Sequence, residues 1–452
     1  MARLFGTDGV RGKAGTYPLD PPTVRRLGAA LVRVLRHDGT ANRVSGPLRF
    51  LSGRDTRESG TWIEQELAAG MVREGASLVT AGVVPTPAIA YLTPRQGFTA
   101  GVVISASHNP FGDNGIKVFS GAGEKFTEVL ERQVEAAMDD ASWSVSSDAA
   151  AVPAVDYRQE YERHLLDILP APLRRRGMRV AVDCANGATT TVAPQVFADL
   201  GFDATFLGCD PDGRNINLGC GSTHPEGLAE VVVGGGYEMG IAFDGDGDRA
   251  IFVDARGAIV DGDAVMLMCA KGLKAEGRLK GDAIVATVMS NIGLEIAART
   301  AGIALVRCPV GDKYVMEEML RRGLSLGGEQ SGHVIFADYL FTGDGLATAL
   351  SVLRVMAMSG RTLADLASEM TAYPQVLMNL RVKEKVDLST VPQVAAVMQS
   401  VESRLEGSGR LLVRYSGTEP LLRVMLEGQN QDEIKKWGQE IIDAVTRHVG
   451  AA

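Results

Sequence analysis

A serine and a histidine, Ser107-His108, follow the apolar run Gly101-Val-Val-Ile104 and are closed by Asn109-Pro110. The run predicts a buried strand and the Asn-Pro pair a sharp loop, so Ser107 is delivered to a strand tip. A hydroxyl beside an imidazole alone would suggest acyl transfer. Beside acidic metal ligands and phosphate-binding loops, Ser107 reads instead as a nucleophile that carries a phosphoryl group. The plain alternative is a Ser-His-Asn turn that caps its own backbone. A second constellation is Asp244-Gly-Asp246-Gly-Asp248-Arg249, flanked by apolar strands. Glycines let the backbone curl so that alternate carboxylates converge. All-oxygen ligands then suit Mg²⁺. A calcium EF-hand is excluded, because its sixth position would be Arg249 and its twelfth Ala255. An exposed acidic turn is the alternative, and Arg249 could orient a metal-bound phosphate.

Three further stretches offer polar groups at fixed backbone. Phe5-Gly-Thr-Asp8-Gly-Val-Arg11-Gly is too glycine-rich and polar for an ordinary strand. It reads either as turn chemistry or as a mount for Arg11 as a cation toward phosphate. In Gly327-Gly-Glu329-Gln-Ser331-Gly-His333, Glu329 and Ser331 could hold sugar hydroxyls, and His333 could relay protons or bind phosphate. Cys308-Pro-Val-Gly311-Asp312-Lys313-Tyr314 resembles another site-facing loop. Arg414, Ser416, the backbone at Gly417, and Thr418, with Arg423 beyond, match phosphate geometry. For the glycine-bounded loops a purely structural turn is the competing reading.

The elements that position these residues follow from periodicity. A helix is expected over Thr23–Leu35, a strand around Leu48–Gly53, a helix over Gly60–Glu74 and a strand at Ser77–Thr80. A strand–helix–strand unit of this kind recurs from Met178 to Leu207 and again from Asp282 to Val306. Each is a βαβ crossover, and three copies predict three similar α/β domains. The tail differs: strands Val376–Val382, Arg410–Arg414 and Leu421–Leu426 with helices Val391–Leu405 and Gln431–His448 predict a smaller α+β domain. Boundaries are expected at 1–153, 154–255, 256–372 and 373–452.

Composition narrows the function. The chain has 452 residues, enough for three or four domains, with 46 Lys and Arg against 55 Asp and Glu, a net charge of −9. No basic run is long enough to neutralise a nucleic-acid backbone, and no apolar run approaches a membrane span. Five widely spaced cysteines suit a reduced compartment and not a disulfide scaffold. The first residues lack a signal-peptide core. A cytoplasmic protein that binds no nucleic acid or membrane is expected. His37, His164, His224 and His448 show no ligand spacing.

Taken together, Ser105-Ala-Ser107-His108-Asn109-Pro110, Asp244-Gly-Asp246-Gly-Asp248-Arg249, Gly328-Glu329-Gln330-Ser331-Gly332-His333 and Arg414-Tyr-Ser416-Gly-Thr418-Glu-Pro420 resemble the α-D-phosphohexomutases, in that family's order and over the whole length. The resemblance implies three mixed α/β domains and a C-terminal α+β domain around a central cleft. It implies that Ser107, and not Ser105, is the phosphoserine. Asp244, Asp246, Asp248 and a phosphate oxygen on Ser107 would bind one Mg²⁺ per chain. The opening segment and Gln330 favour the glucosamine branch. The implied reaction interconverts D-glucosamine 6-phosphate and D-glucosamine 1-phosphate through bound glucosamine 1,6-bisphosphate, ahead of UDP-N-acetylglucosamine and cell-wall precursors. Arg11, Lys117 and Arg249 would neutralise charge, while Lys117 and His333 would move the sugar hydroxyl proton. Rival readings are a phosphoglucomutase or phosphomannomutase and a non-catalytic sugar-phosphate sensor. A phosphosugar is the expected small-molecule partner, and a homodimer is compatible with the sequence.

Overall fold

The structure, a computed structural model, describes residues 4–6, 8–37, 47–145, 151–416 and 420–450. The first sheet holds β1 (Val10–Lys13), β2 (Arg49–Arg54), β3 (Ser77–Val83), β4 (Ala100–Ile104) and β5 (Asp113–Ser120) in the order β1-β5-β4-β2-β3. β2, β3 and β4 are parallel, as a βαβ crossover requires, while β5 and β1 run antiparallel. Helices α1 (Pro21–His37), α2 (Gly60–Arg73), α3 (Thr86–Arg95) and α4 (Glu128–Asp139) accompany it. One expectation is corrected here. Part of the glycine-rich opening is a strand, with Val10 opposite Ile116 and Arg11 opposite Gly115. The open edge of β5 supplies unpaired backbone groups. Gly9, at φ +81°, turns the chain onto it where a Cβ would lie 2.3 Å from the Ile116 carbonyl oxygen.

The second sheet repeats the plan with β6 (Arg179–Asp183), β7 (Asp203–Leu207), β8 (Met239–Phe243), β9 (Ala250–Asp254) and β10 (Ile259–Val260), in the order β10-β9-β8-β6-β7. Its helices are α5 (Arg158–Ile168), α6 (Ala193–Leu200) and α7 (Glu226–Gly235). The third sheet, β12-β11-β13-β14, comprises β11 (Ala283–Thr287), β12 (Ala304–Cys308), β13 (Leu326–Gly328) and β14 (Val334–Phe336). Helices α8 (Gly262–Ala275), α9 (Ile292–Thr300), α10 (Asp312–Arg322), α11 (Gly345–Ser359) and α12 (Leu363–Ala367) belong to this stretch of sequence. The tail forms an antiparallel sheet of β15 (Gln375–Arg381), β16 (Arg410–Tyr415) and β17 (Leu421–Glu427), in the order β15-β17-β16. Val394, Val401 and Leu405 of α13 (Pro392–Leu405) and Ile434, Ile441 and Val445 of α14 (Gln431–His448) form its core with Leu422, Val424 and Leu426. Their helical spacing puts one apolar stripe of each helix into that core.

The chain divides into two compact units, Met1–Met289 with Gly302–Glu369, and Ser290–Ala301 with Met370–Ala452. α9 belongs to the second, where the Asn291 side chain donates to the Tyr373 carbonyl (2.9 Å) and the Ile292 amide to Glu427 Oε2 (3.1 Å). In the first unit, all three sheets end their parallel run on a strand that turns into an antiparallel neighbour: β4 into β5, β8 into β9, β13 into β14. The corners at 105–112, 244–249 and 329–333 carry the chemistry-bearing residues. Among the described residues no helix is long and apolar enough to cross a membrane.

Candidate active site

β4 is buried at every residue, and its corner stays buried through Ser107, which is 1% exposed. Ser107 takes a left-handed conformation (φ +51°), uncommon for a residue with a side chain and worth of order 1–3 kcal/mol. Two side chains from elsewhere hold it there. Buried Arg57 donates to the carbonyls of Ser107 (2.9 Å), Asn109 (2.8 Å) and Pro110 (2.8 Å), and to Asp55 Oδ2 (2.9 Å). Asn217 Nδ2 donates to the carbonyls of Ser107 (2.9 Å) and Asn109 (3.1 Å). Ser105 is spent on structure: its Oγ donates to Asp55 and accepts the Ser107 amide (2.9 Å). The Ser107 hydroxyl is instead free to donate across to the neighbouring corner, to Asp244 Oδ2.

Asp244, Asp246 and Asp248 follow β8, and each is at most 3% exposed. Their ligand oxygens lie within 4.8 Å of one another. Burial, then Asp248 and Asp246, push Asp244 well above the usual carboxylate range. Among the described residues, Asp246 Oδ1 and Asp248 Oδ1 are buried with no hydrogen-bond partner. Orphaned carboxylate oxygens this close are costly, and they fit a hard divalent cation. The other Asp246 oxygen accepts from Lys117 Nζ (2.9 Å) and from Thr86 Oγ1 (2.6 Å), while the Thr86 amide donates to the Asp246 carbonyl (2.8 Å). Thr86 opens α3, so the positive end of that helix faces the acidic corner. Gly245 permits the docking of the two corners, since a Cβ there would stand 2.5 Å from the Ser107 carbonyl oxygen.

Above these corners lies a cleft of about 420 Å³ whose walls include Asp8, Arg11, His108, Arg249, Glu329 and His333, a volume suited to a small ligand. Arg11 donates to the Ala106 carbonyl (3.1 Å) and pairs with Asp8. Lys117, 2% exposed, lies between Asp246 (2.9 Å), Asp8 (3.0 Å) and Asp248 (3.2 Å). Burial alone would lower its pKa, but these carboxylates hold it well above the usual lysine value, a fixed cation. His108 is pushed down to about 4 by burial and then by Arg249 and Arg11. Its Nδ1, 3.1 Å from Arg249 Nη1 and 3.4 Å from Ser107 Oγ, therefore carries a lone pair. His333 is subject to opposing influences. Burial lowers its pKa, Asp248 and Asp312 raise it to a net upward shift, yet the Gly343 amide donates to Nε2 at 3.0 Å. An amide donor at that distance requires a lone pair, which favours the neutral ring with its proton on Nδ1, toward Asp248 Oδ2 (3.6 Å).

The third corner is more open. Glu329 faces the cleft and accepts the Gly311 amide (3.1 Å), whereas Ser331 is exposed and is not part of the cleft wall. In the second unit, Arg414 and Arg423 are directly opposite on β16 and β17, so their side chains share a face. Ser416 is buried, its amide donating to the Leu421 carbonyl (2.8 Å) and its carbonyl accepting Lys385 Nζ (2.7 Å). Gly417 and Thr418 lie outside the described residues. Sequence reasoning missed Arg57, Asn217 and Thr86. Arg57 had a signal, since Gly53-Arg-Asp-Thr-Arg57 ends a strand beside β4; Asn217, in a long loop, had none.

Four family models match the chain in order: the phosphoglucomutase/phosphomannomutase α/β/α domains I, II and III over residues 2–144, 159–257 and 261–373, and the C-terminal domain over 377–444. A phosphoglucosamine mutase of Solibacter usitatus is 47% identical over 99% of both chains. One of Syntrophotalea carbinolica is 46% identical over 99% of this chain and 98% of its own. Among solved structures, a phosphoglucomutase/phosphomannomutase family protein of Burkholderia thailandensis superposes with a TM-score of 0.81 at 24% identity, covering 100% of this chain and 98% of that one. The N-acetylphosphoglucosamine mutase of Aspergillus fumigatus, solved with GlcNAc-6P and magnesium, gives 0.68 at 18%, over 99% and 96%. These likenesses share the fold, and with the four domain matches and the full-length relatives they show that this chain belongs to the phosphoglucomutase/phosphomannomutase family.

Proposed function

We propose that the protein is a phosphohexomutase that interconverts D-glucosamine 6-phosphate and D-glucosamine 1-phosphate, an isomerase of amino-sugar metabolism. The observation that carries this is the placement of a left-handed Ser107, its hydroxyl bonded to Asp244, against the buried Asp244, Asp246 and Asp248 cluster. Phosphorylated Ser107 would donate its phosphoryl group to the free sugar hydroxyl and take back the other phosphate from the resulting bisphosphate. Asp244, Asp246 and Asp248 would hold Mg²⁺, which when bound supplies charge neutralisation for the transferring group. Arg11, Arg249 and Lys117 would hold phosphate oxygens. His333 would accept the proton from the sugar hydroxyl, and Lys117, held protonated, would be the acid of the pair. Glu329 would bind sugar hydroxyls, and in the second unit Arg414, Ser416 and Arg423, with Gly417 and Thr418, would bind a phosphate.

The identity of the relatives supports glucosamine over glucose or mannose. The test is a parallel assay of the purified protein on glucosamine, glucose and mannose 6-phosphates, with Lys117→Ala and His333→Ala alongside. Highest kcat/KM on glucosamine 6-phosphate is expected, with kcat reduced in both variants. Preference for either other sugar would replace the substrate assignment, and no turnover of any would favour a sensor.

A further inference from the structure

Lys125 takes no part in the chemistry assigned above, yet its side chain joins two parts of the cleft wall. After β5 the chain turns back on itself. The Ser120 amide donates to the Glu124 carbonyl (2.7 Å), the Gly123 amide to the Ser120 carbonyl (2.9 Å) and the Phe126 amide to the Val118 carbonyl (3.1 Å). Gly123 has φ +78°, and a Cβ there would stand 2.2 Å from the Ala90 carbonyl oxygen, so the turn packs tightly against α3. It lays Lys125 opposite Phe119 of β5, while Phe126 enters the core of the first sheet. A long, flexible side chain thereby gains a fixed mount.

The largely buried Lys125 ammonium donates to Asp8 Oδ1 (2.6 Å) and to Asp312 Oδ2. The described residues that line the cleft include both carboxylates but not Lys125. Asp8 divides its two oxygens: Oδ2 holds Lys117 (3.0 Å) and Arg11, and Oδ1 holds Lys125. Asp312 opens α10 directly after Val310 and Gly311, which also line the cleft. The Gly311 amide is bonded to Glu329, and Lys313 pairs with buried Glu131 of α4 at 2.9 Å. Lys125 therefore links the cations assigned to phosphate with the loop that holds the sugar-facing carboxylate.

We propose that Lys125 is a positioning residue for phosphoryl transfer, its ammonium bridging Asp8 and Asp312 so that Lys117 and Arg11 keep a fixed place relative to the 310–312 loop. Its role rests on the reaction proposed above, whereas the bridge itself rests on the ion pairs. Two carboxylates this close repel unless a cation stands between them. Burial alone would lower the Lys125 pKa, but Asp312 and then Asp8 hold it above the usual lysine value, so the bridge stays charged. Without it, Asp312 is an uncompensated carboxylate 3.5 Å from His333 Nε2, and Asp8 can turn with Lys117 and Arg11 attached. An aligned transfer tolerates little of this, since a misplacement of about 1 Å set off by a distant change can cost about 10²-fold.

The experiment compares full-length wild type, Lys125→Met, Asp312→Asn and the double variant on glucosamine 6-phosphate, with thermal midpoints and crystal structures. Lys125→Met should lower kcat by about ten- to a hundredfold and change KM less. Asp312→Asn should lower kcat in the same way, and it reads the bridge even if Lys125→Met does not fold. Because both changes cut one bridge, the double variant should lose little more than the worse single variant. In the Lys125→Met structure, Asp8 and Lys117 should have shifted relative to the 310–312 loop. A lowered midpoint with wild-type kcat would make the bridge a stabilising contact only and overturn its positioning role. Single losses that multiply in the double variant, or unmoved Asp8, Lys117 and Asp312, would overturn it too. Wild type that turns over no hexose phosphate would overturn the mutase reading instead, and the variant structures would still read the bridge.

Discussion

The corner after β4 and the corner after β13 occupy equivalent places in sheets of matching strand order, yet they differ in access. Ser107 is sealed beneath Arg57 and Asn217, whereas Ser331 is exposed and Glu329 opens onto the cleft. The metal-type corner after β8 resembles the first in burial. A group that exchanges covalent bonds must be fixed to within a fraction of an ångström; groups that recognise a sugar must let it enter and leave. One strand-to-strand turn serves both needs, because its side chains and the elements packed over it set its exposure.

The largest expected effect breaks the sealed corner at its nucleophile. Ser107→Ala should reduce mutase turnover to background with an unchanged thermal midpoint, and phosphopeptide mapping of active wild type should find phosphate at Ser107. Phosphate confined to Ser105, with Ser107→Ala active, would reverse the assignment. Next is Asp246→Asn, or excess chelator. Loss of charge stabilisation worth several kcal/mol predicts a kcat lower by about 10²–10³-fold, and full activity in chelator would refute a required metal.

Arg57→Met tests what holds the corner shut. Removing one partner of a buried pair leaves Asp55 uncompensated and should cost about 3–5 kcal/mol in denaturant unfolding, with kcat falling while substrate KM changes less. An unaltered midpoint would show that Asn217 alone holds the loop. At the open corner the effects should be smaller and should fall on kcat/KM. Glu329→Gln should lower it by about ten- to a hundredfold, the range of a charge-assisted hydrogen bond. Ser331→Ala should change it by no more than about twofold, as at an ordinary surface position. A tenfold loss in Ser331→Ala would return that hydroxyl to the sugar and erase the contrast.

The sequence by itself determined the repeated crossover units, the α+β tail and the residue sets at the corners. Those are local properties: apolar runs, helical stripes, and carboxylates spaced by glycines at Asp244, Asp246 and Asp248. Its reading of the opening as non-strand failed because Val10–Lys13 pairs with β5, about a hundred residues away, and edge pairing leaves little local trace. Only tertiary structure decided that Arg57 and Asn217 grip the Ser107 carbonyl, that Thr86 and Lys117 meet Asp246, and that Glu329 faces the cleft while Ser331 does not. Each of those facts joins residues distant in sequence. Burial converts an ordinary arginine or lysine into a fixed electrostatic partner, and burial is a property of the packed whole.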